Sequence, residues 1–243
     1  MDRNLNLTTR QLPALYKRRI GYHRAVKRPL TIVLVAITAL AVMALVYFLR
    51  IDSLSLAAGA KVIASTGFLA TAISVGALQH RYGRILFIGL VLSFAGDMLL
   101  ISVSQGQFLL GLGSFLLAHL AYITAFTTLG INRKWALFSA IPVLLAAAVA
   151  TVWLTPYLAP NLIMPVHAYI GVISLMVIAA FACKGAGASS LVVVGALLFF
   201  VSDLSVAAQR IVVVDFPTII WGLPLYYAGQ LCLALSSSQS SSQ

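Results

Sequence analysis

Two aspartates lie inside long apolar stretches of the chain, where charged side chains are rare. Asp97 lies in the segment VLSFAGDMLL, and Asp203 lies in LLFFVSDLSVA. A charge at the centre of a bilayer costs about 2.5–3.5 kcal/mol on insertion scales, so residues of this kind usually serve a function. Carboxyl groups held away from water are suited to donating, accepting or relaying protons. Asp97 and Asp203 are therefore the first candidates for catalytic residues.

Further polar side chains could share a cavity with the two aspartates. Lys61 and His119 are the other ionisable groups within or at the edge of apolar stretches. At 1.5 Å per residue, Asp97 and Asp203 lie roughly 18–23 Å from the cytoplasmic ends of their predicted spans. Polar residues of other spans are predicted at overlapping depths. The candidate substrate-binding residues at these depths are Lys61, His119, Tyr122, Tyr169, Ser202, Tyr227 and Gln230.

A purely structural explanation of the same residues is also open. Asp97 and Asp203 could be paired with Lys61 or with Arg210, which lies two turns beyond Asp203, and so only hold helices together. His119 could likewise be hydrogen-bonded to a neighbour without taking part in chemistry. The residue spacing is compatible with both explanations.

Helical periodicity predicts which side chains share a face, because residues three or four apart lie one above the other. At this spacing, Ser65 is predicted to be a local hydrogen-bond partner of Lys61, and Ser93 of Asp97. Tyr227 and Gln230 are predicted to share a face and to act as one pair of donors. Around His119, the same periodicity predicts a stripe that faces a central pocket, formed by Leu112, Phe115, His119, Tyr122 and Phe126. A second stripe consists of small residues that permit close helix packing in lipid, namely Gly111, Ser114, Ala118, Ala121 and Ala125.

The elements that must position these residues are membrane-spanning helices. Hydrophobic residues make up 61% of the 243 residues, charged residues make up 9%, and the mean hydropathy is +1.03. This composition excludes a water-soluble domain with a polar shell. One spanning helix needs about 20 apolar residues. We therefore expect an all-α integral membrane protein with eight transmembrane helices, near residues 30–49, 55–78, 85–101, 108–130, 135–154, 165–182, 188–208 and 218–235.

The distribution of positive charge predicts how these helices are oriented. If both termini are cytoplasmic, thirteen Lys and Arg residues lie on the cytoplasmic side and only Arg50 and Arg210 lie on the other. Cytoplasmic loops carry such an excess of cations in membrane proteins. The sequence thus predicts cytoplasmic N- and C-termini, and the absence of a cleavable signal fits a bacterial cytoplasmic membrane.

Three regions are expected along the chain. Residues 1–29 form a basic juxtamembrane arm, residues 30–235 form the transmembrane domain, and residues 236–243 form a disordered Ser/Gln tail. The net charge of +11 does not indicate a nucleic-acid partner, because eight of the sixteen cations precede Pro29 and most others lie between apolar runs. Membrane lipids are the partners that this charge suits, and no protein partner is inferable.

No cofactor is indicated by the remaining reactive residues. Cys183 and Cys232 lack a paired spacing, so neither a disulfide framework nor a zinc site is expected. The histidines and aspartates show no zinc-site spacing, and the chain carries no phosphate-binding glycine loop or GxSxG elbow. We expect neither a metal nor a cofactor.

The segments around the two aspartates resemble each other, which indicates an internal repeat. Asp97 and Asp203 are 106 residues apart, which places them four predicted spans from each other. Because four is an even number, the two spans run in the same direction. The sequence therefore predicts parallel four-helix half-repeats about an axis along the membrane normal.

Four separated motifs connect these residues to a known family. The motifs are Gly96-Asp97, Gly111-x-Gly113-x-Phe115-x-x-Ala118-His119-x-x-Tyr122, Gly195-Ala196-x-x-Phe199-x-x-Ser202-Asp203 and Tyr226-Tyr227-x-x-Gln230. Over roughly residues 30–235, the chain resembles the YhhN-like lysoplasmalogenase family. The long basic arm is not a usual feature of that family. The resemblance implies eight helices and hydrolysis of the vinyl ether bond of lysoplasmalogens, a class of lysophospholipid, to a fatty aldehyde and glycerophospho-choline or -ethanolamine.

The chemistry of this reaction suits a pair of carboxyl groups. A vinyl ether is cleaved after protonation of its β carbon, and water then captures the resulting oxocarbenium ion. One carboxylic acid and one carboxylate can share these tasks, as in glycosidases. We expect Asp97 and Asp203 to be this pair, with the two roles not assigned between them. The alternative is a proton-coupled transporter or lipid-binding membrane protein that uses the same aspartates, and a membrane scaffold without a small-molecule site is a third possibility.

Overall fold

The structure, a computed structural model, describes residues 12–101 and 104–238, with side chains from residue 29 onward. The described chain folds into helices joined by short turns. The helices are α1 (Leu12–Arg50), α2 (Leu54–Ser74), α3 (Arg81–Leu99), α4 (Gln105–Thr127), α5 (Arg133–Leu154), α6 (Pro160–Gly185), α7 (Ser190–Ala207) and α8 (Ile219–Ser236). Eight helices in the described ranges are long and apolar enough to cross a membrane, which confirms the predicted number of spans.

The observed helix ends differ from the predicted ends by a few residues, for local reasons. The second span was expected to reach residue 78, but α2 ends at Ser74 because Gly76 adopts a left-handed conformation with φ of +90°. Helix α3 accordingly begins at Arg81. At the N-terminal end, α1 begins at Leu12 and continues through Pro29, so part of the predicted arm is helical. The predicted start of the disordered tail at residue 236 is wrong, because Ser236 is the last residue of α8 and both Ser236 and Ser237 are buried. Residues 1–11 of the arm and residues 239–243 of the predicted tail lie outside the described residues.

Several helices begin at residues whose side chains accept backbone hydrogen bonds. Asn132 Oδ1 accepts from the backbone N–H groups of Lys134 and Trp135 at the start of α5. Ser104 caps α4 and Ser189 caps α7 in the same way. Such caps satisfy N–H groups that have no partner within the helix. The turns between spans therefore contain the signals that start the next helix.

The helices pack as sequential hairpins around two central helices. Neighbours in the chain pair as α1 with α2, α3 with α4, α5 with α6, and α7 with α8. Helix α8 also contacts α1, α2 and α3, and α6 contacts α4 and α7. On the outside, α5 exposes Leu137 (71%), Phe138 (78%) and Ile141 (75%), which is the surface expected of a helix facing hydrocarbon. These contacts bring all eight helices around one interior.

Small residues permit the closest helix contacts. A Cβ atom added to Gly195 on α7 would lie 3.0 Å from the Gly229 carbonyl oxygen on α8, and a Cβ atom added to Gly229 would lie 3.0 Å from the Gly195 carbonyl oxygen. The two backbones thus approach each other directly, as small residues allow in membrane helices. On α4, the predicted small stripe also packs inward, since Ala118 and Ala125 are fully buried. The orientation of the termini and the half-repeat stay predictions.

Gly96→Ala should destabilise the protein, because Gly96 contacts an aromatic ring that cannot move aside. An added Cβ atom would lie 2.7–3.1 Å from three ring atoms of Phe115. That ring is itself packed edge-on against Phe199 and Tyr226, at centroid distances of 5.9 and 5.8 Å. We expect the free energy of unfolding to fall by about 1–3 kcal/mol, measured by thermal unfolding in detergent. Gly113→Ala is the matched control, since nothing lies within 4 Å of the added atom. Equal melting temperatures for the two variants would contradict this account of the packing.

Candidate active site

A cavity of about 460 Å³ lies within the helix bundle, and both candidate catalytic aspartates line it. Its volume falls within the range of about 300–1,000 Å³ that small-molecule sites occupy. Most of the wall is apolar, with side chains from all eight helices that include Leu45, Leu49, Leu100, Phe108, Leu112, Leu154, Ile173 and Phe200. The polar side chains in the wall include Lys61, Asp97, Tyr169, Ser202, Asp203 and Arg210. Such a lining is suited to a ligand with a long hydrocarbon chain and a polar end.

Asp97 is the centre of a hydrogen-bonded cluster from three helices. Its Oδ2 atom accepts from the Ser65 hydroxyl at 2.7 Å and from the Tyr226 hydroxyl at 2.8 Å. Its Oδ1 atom lies 3.6 Å from the Lys61 ammonium nitrogen. Ser65 also shares a 3.0 Å hydrogen bond with the Tyr227 hydroxyl. A carboxylate with this many donors is fixed in position, and its negative charge is balanced locally.

The cluster continues away from the cavity through buried polar groups. Gln230 Nε2 donates to the Tyr226 oxygen at 3.1 Å, and the Tyr122 hydroxyl donates to Gln230 Oε1 at 3.0 Å. Tyr122 in turn shares a 3.0 Å hydrogen bond with the Ser93 hydroxyl. All four residues are buried. This chain of hydrogen bonds connects α3, α4 and α8 behind the cavity wall, and it orients Tyr226 towards Asp97.

Asp203 belongs to a second cluster, formed by α4, α6 and α7. The Tyr169 hydroxyl donates to Asp203 Oδ2 at 2.6 Å, and His119 Nε2 lies 2.9 Å from the same hydroxyl oxygen. Because Tyr169 gives its proton to Asp203, its oxygen accepts from His119, so the histidine proton is assigned to Nε2. The direct separation of His119 Nε2 and Asp203 Oδ2 is 4.0 Å. Tyr169 therefore bridges the histidine and the carboxyl group.

His119 is enclosed mainly by aromatic rings. Its ring lies edge-on to Phe199 with a centroid distance of 4.7 Å and is fully buried. Its Nδ1 atom has no hydrogen-bond partner among the described residues. The residue is thus held by packing and by a single hydrogen bond to Tyr169. His119 does not line the cavity, and its hydrogen bond leads to Tyr169, which does.

The predicted site residues fall into two groups by position. Asp97, Asp203, Lys61, Tyr169 and Ser202 line the cavity. The wall does not include the other predicted residues, which are buried behind it in the two clusters: His119, Tyr122, Tyr227 and Gln230. The predicted stripe on α4 divides in the same manner, since Leu112 and Phe115 reach the cavity and Tyr122 does not. The functional role of every one of these residues stays a prediction.

Several predicted local pairs are wrong, because the polar side chains bond between helices instead of within them. Ser65 bonds to Asp97 and Tyr227 rather than to Lys61. Ser93 bonds to Tyr122 rather than to Asp97. On α8, Gln230 Nε2 donates to Tyr226, four residues earlier, while the Tyr227 hydroxyl is bonded to Ser65. Of the two structural ion pairs considered, Asp97 does pair with Lys61, whereas Asp203 is bonded to Tyr169 and Arg210 donates to the Leu100 carbonyl oxygen at 3.1 Å.

Two residues of the cavity were absent from the predicted site. Tyr226 donates to Asp97 and lines the cavity, and Arg210 lines it from the segment after α7. The signal for Tyr226 is its i, i+4 spacing to Gln230, which places both on one face of α8. Within residues 12–101 and 104–238, no three His, Cys, Asp or Glu side chains lie close enough together to hold a metal ion.

Comparisons with known proteins agree with these observations. The sequence pattern of the YhhN family matches residues 56–237. The chain is 30% identical over 169 residues to the bovine (Bos taurus) protein named lysoplasmalogenase TMEM86A, which covers 67% of this chain and 69% of the bovine protein. It is 33% identical over 152 residues to proteins named lysoplasmalogenase from Mycobacterium bovis and Mycobacterium tuberculosis, which covers 59% of this chain and 58% of each relative. The match thus spans less than two-thirds of the mycobacterial proteins. No solved structure matches the chain.

Proposed function

The chain belongs to the YhhN family, as its separated motifs predict, and from that membership we propose that it hydrolyses the vinyl ether bond of lysoplasmalogens. The lysoplasmalogenase names of its relatives support this reaction class. The observation that carries the proposal is the placement of Asp97 and Asp203 in the wall of one largely apolar cavity. Such a cavity is suited to a single-chain lipid, and its two carboxyl groups supply the acid and the base that the reaction needs.

The proposed reaction consumes water and no other co-reactant. A carboxylic acid transfers its proton to the β carbon of the vinyl ether, and the π electrons form the new C–H bond. The resulting oxocarbenium ion is attacked by water, and the proton of that water passes to a carboxylate. As the hemiacetal breaks its C–O bond to the glycerol oxygen, the carboxyl group that took the proton of water gives that proton to the glycerol oxygen. The hydroxyl proton of the hemiacetal passes to the first carboxylate, so both carboxyl groups regain their starting states and a fatty aldehyde is released. No oxidant or reductant is required.

The hydrogen bonds support different roles for the two aspartates. Ser65, Tyr226 and Lys61 all direct donors at Asp97, so we assign to it the carboxylate that stabilises the cation and activates water. Among the described residues, Asp203 receives one hydrogen bond, on Oδ2 from Tyr169, which leaves Oδ1 to carry the proton. Its side chain is also 22% exposed, against 4% for Asp97. We therefore assign the acid to Asp203.

The other site residues serve these two groups. Lys61, Tyr169 and Ser202 line the cavity and are assigned contact with the substrate. His119 positions Tyr169, and Tyr122, Tyr227 and Gln230 hold the network around Asp97. These four residues are expected to act through their neighbours. No step in the scheme requires a metal or a cofactor.

The membrane arrangement proposed here follows the charge distribution. Both termini face the cytoplasm, with residues 1–29 as a basic arm at the lipid surface and residues 30–235 as the transmembrane domain. The Ser/Gln residues after α8, which ends at Ser236, are proposed as a polar tail, and the two four-helix halves as parallel repeats. The membrane is proposed to be the bacterial cytoplasmic membrane. Eight helices of the described ranges are long and apolar enough to cross a membrane, so the substrate is proposed to reach the cavity from the lipid phase.

Aldehyde release by purified protein tests the proposed function. Detergent-solubilised protein should release a fatty aldehyde from a lysoplasmalogen and none from the lysophospholipid with an ester-linked chain. In D2O, with immediate reduction of the aldehyde, one deuterium should appear at the carbon next to the carbonyl, because that carbon accepts the proton. A transporter would require sealed vesicles and would release no aldehyde. Absence of aldehyde from well-folded protein would refute the proposal.

A further inference from the structure

The cavity wall contains two cationic side chains, neither of which transfers a proton in the proposed reaction. Lys61 on α2 and Arg210 both line the cavity. Among the described residues, Lys61 is paired with Asp97, whereas no carboxylate lies within ion-pair distance of the exposed Arg210 guanidinium. A cation without such a partner in a largely apolar wall is stabilised by a bound anion. The arrangement therefore indicates a site for a negatively charged group.

Arg210 is held at the wall by an irregular segment of backbone. It lies in a π-helical turn, Ala208–Val212, that follows α7 and ends at Val213 with a left-handed φ of +60°. Such turns change the register of a helix and are frequent at functional sites. The Arg210 guanidinium reaches across to α3, where it donates to the Leu100 carbonyl oxygen at 3.1 Å. This bond orients the side chain without neutralising its charge.

Both cations retain hydrogen-bond donors for a ligand. An ammonium has three N–H donors, and Lys61 has one ion-pair contact, at 3.6 Å to Asp97. A guanidinium has five N–H donors, and Arg210 has one hydrogen bond, to Leu100. Phosphate oxygens suit such donors, and arginine binds them in a two-pronged geometry. The remaining donors of Lys61 and Arg210 are sufficient for one phosphate group.

The carboxyl groups of the cavity are compatible with an anion at this position. Asp97 Oδ2 is bonded to Ser65 and Tyr226, and Asp203 Oδ2 is bonded to Tyr169. The third carboxyl group, on Asp52, is exposed at the cavity wall after α1. It suits the ammonium of a zwitterionic head group. The two cations and Asp52 thus complement a phosphate that carries an amine.

We propose that Lys61 and Arg210 bind the phosphate of the lysophospholipid head group and select phosphate-bearing lipids over neutral ones with the same chain. This proposal rests on the proposed function for its substrate class. Its geometric basis is independent, because the two cations line the cavity whatever reaction occurs there. The hydrocarbon chain then lies along the apolar wall, with the bond to be cleaved between the chain and the head group.

A binding experiment tests this subsite without turnover. Purified protein in a nonionic detergent is titrated with lysophosphatidylcholine, monoacylglycerol of the same chain, glycerophosphocholine and inorganic phosphate, each in competition with a fluorescent lysophosphatidylcholine. The wild-type protein should bind lysophosphatidylcholine at least tenfold more tightly than monoacylglycerol. Arg210→Gln should remove most of that difference, because charged hydrogen bonds of this kind change affinity by about tenfold to a hundredfold. Arg210→Lys should retain part of it, since the charge remains.

The matched control is Arg50→Gln, which makes the same charge change at the end of α1, at an exposed residue outside the cavity wall. It should keep the full preference. A preference that survives in Arg210→Gln would overturn the proposal and leave Arg210 with only its structural bond to Leu100. Binding of inorganic phosphate as tight as that of the lipid would also overturn it, in favour of a free-anion site.

Kinetics with two vinyl ether substrates separate this proposal from the proposed function. In Arg210→Gln, kcat/KM for the phospholipid should fall at least tenfold, mainly through KM, and kcat/KM for 1-alkenylglycerol should not change. Equal losses for both substrates would overturn the phosphate subsite and leave vinyl ether hydrolysis intact. If neither substrate yields aldehyde, while the binding preference and its dependence on Arg210 are intact, the hydrolase is refuted and the phosphate subsite is supported.

Discussion

Asp203→Asn should yield a folded protein whose kcat for lysoplasmalogen is about 10²–10⁴ times lower than that of the wild type. The asparagine side chain has nearly the same shape, and its oxygen can still accept the Tyr169 hydrogen bond of 2.6 Å. It has no acidic proton to transfer to the vinyl carbon. Because the contacts that bind the lipid remain, KM should change little. The loss is thus confined to the proton-transfer step.

The measurement is steady-state aldehyde release, together with thermal unfolding of each variant in the same detergent. Asp215→Asn is the matched control, since Asp215 is exposed in the segment between α7 and α8 and lies outside the cavity wall. It should keep wild-type kcat and stability. Activity of Asp203→Asn within a few fold of the wild type would exclude Asp203 as the acid.

Asp97→Asn should lose activity to a similar extent and should also lose stability. Its carboxylate is 3.6 Å from the Lys61 ammonium and accepts from Ser65 and Tyr226. An amide at position 97 leaves the nearly buried Lys61 charge without its partner. Removing one member of a buried ion pair lowers the free energy of unfolding by about 3–5 kcal/mol. The two variants should therefore differ in melting temperature, with Asp97→Asn less stable than Asp203→Asn.

A double substitution separates the two effects at Asp97. Lys61→Met removes the unpaired cation and keeps a side chain of similar length, so Lys61→Met/Asp97→Asn should recover most of the lost melting temperature. Aldehyde release should not recover, because the carboxylate that activates water is still absent. Lys61→Met alone should still release aldehyde, with a raised KM, because Asp97 keeps its hydrogen bonds from Ser65 and Tyr226 while the phosphate loses one contact. Recovery of activity in the double variant would show that Asp97 only neutralises Lys61 and has no catalytic role.

The sequence predicts the helices well because the bilayer imposes a simple length requirement. An apolar run of about 20 residues flanked by cations identifies a span without knowledge of its neighbours. The same reasoning identifies Asp97 and Asp203, since a carboxyl group in such a run needs an explanation. The end of α2 at Ser74 was less accurately predicted, because the apolar pattern continues past the left-handed Gly76.

The partners of the polar residues could not be predicted from one sequence. Ser65 has Lys61 one turn before it on α2, yet its hydroxyl bonds to α3 and α8. Tyr226 and Tyr227 are adjacent, and a rotation of about 100° per residue decides which one meets Asp97. Only the packing of α8 against α2 and α3 determines that rotation. Arg210 reaches the cavity through a π-helical turn, for which the residues 208–212 contain no signal.

The hydrogen-bond chain from Asp97 through Tyr226 and Gln230 to Tyr122 has a consequence for biogenesis. A ribosome adds α8 after α2, α3 and α4, so Tyr226 and Gln230 are the last members of the chain to be synthesised. Before α8 enters the membrane, the polar groups on α2, α3 and α4 lack these partners. The insertion of α8 therefore completes the proposed catalytic centre, and a nascent chain that stops before Ile219 lacks the Tyr226 hydroxyl that donates to Asp97.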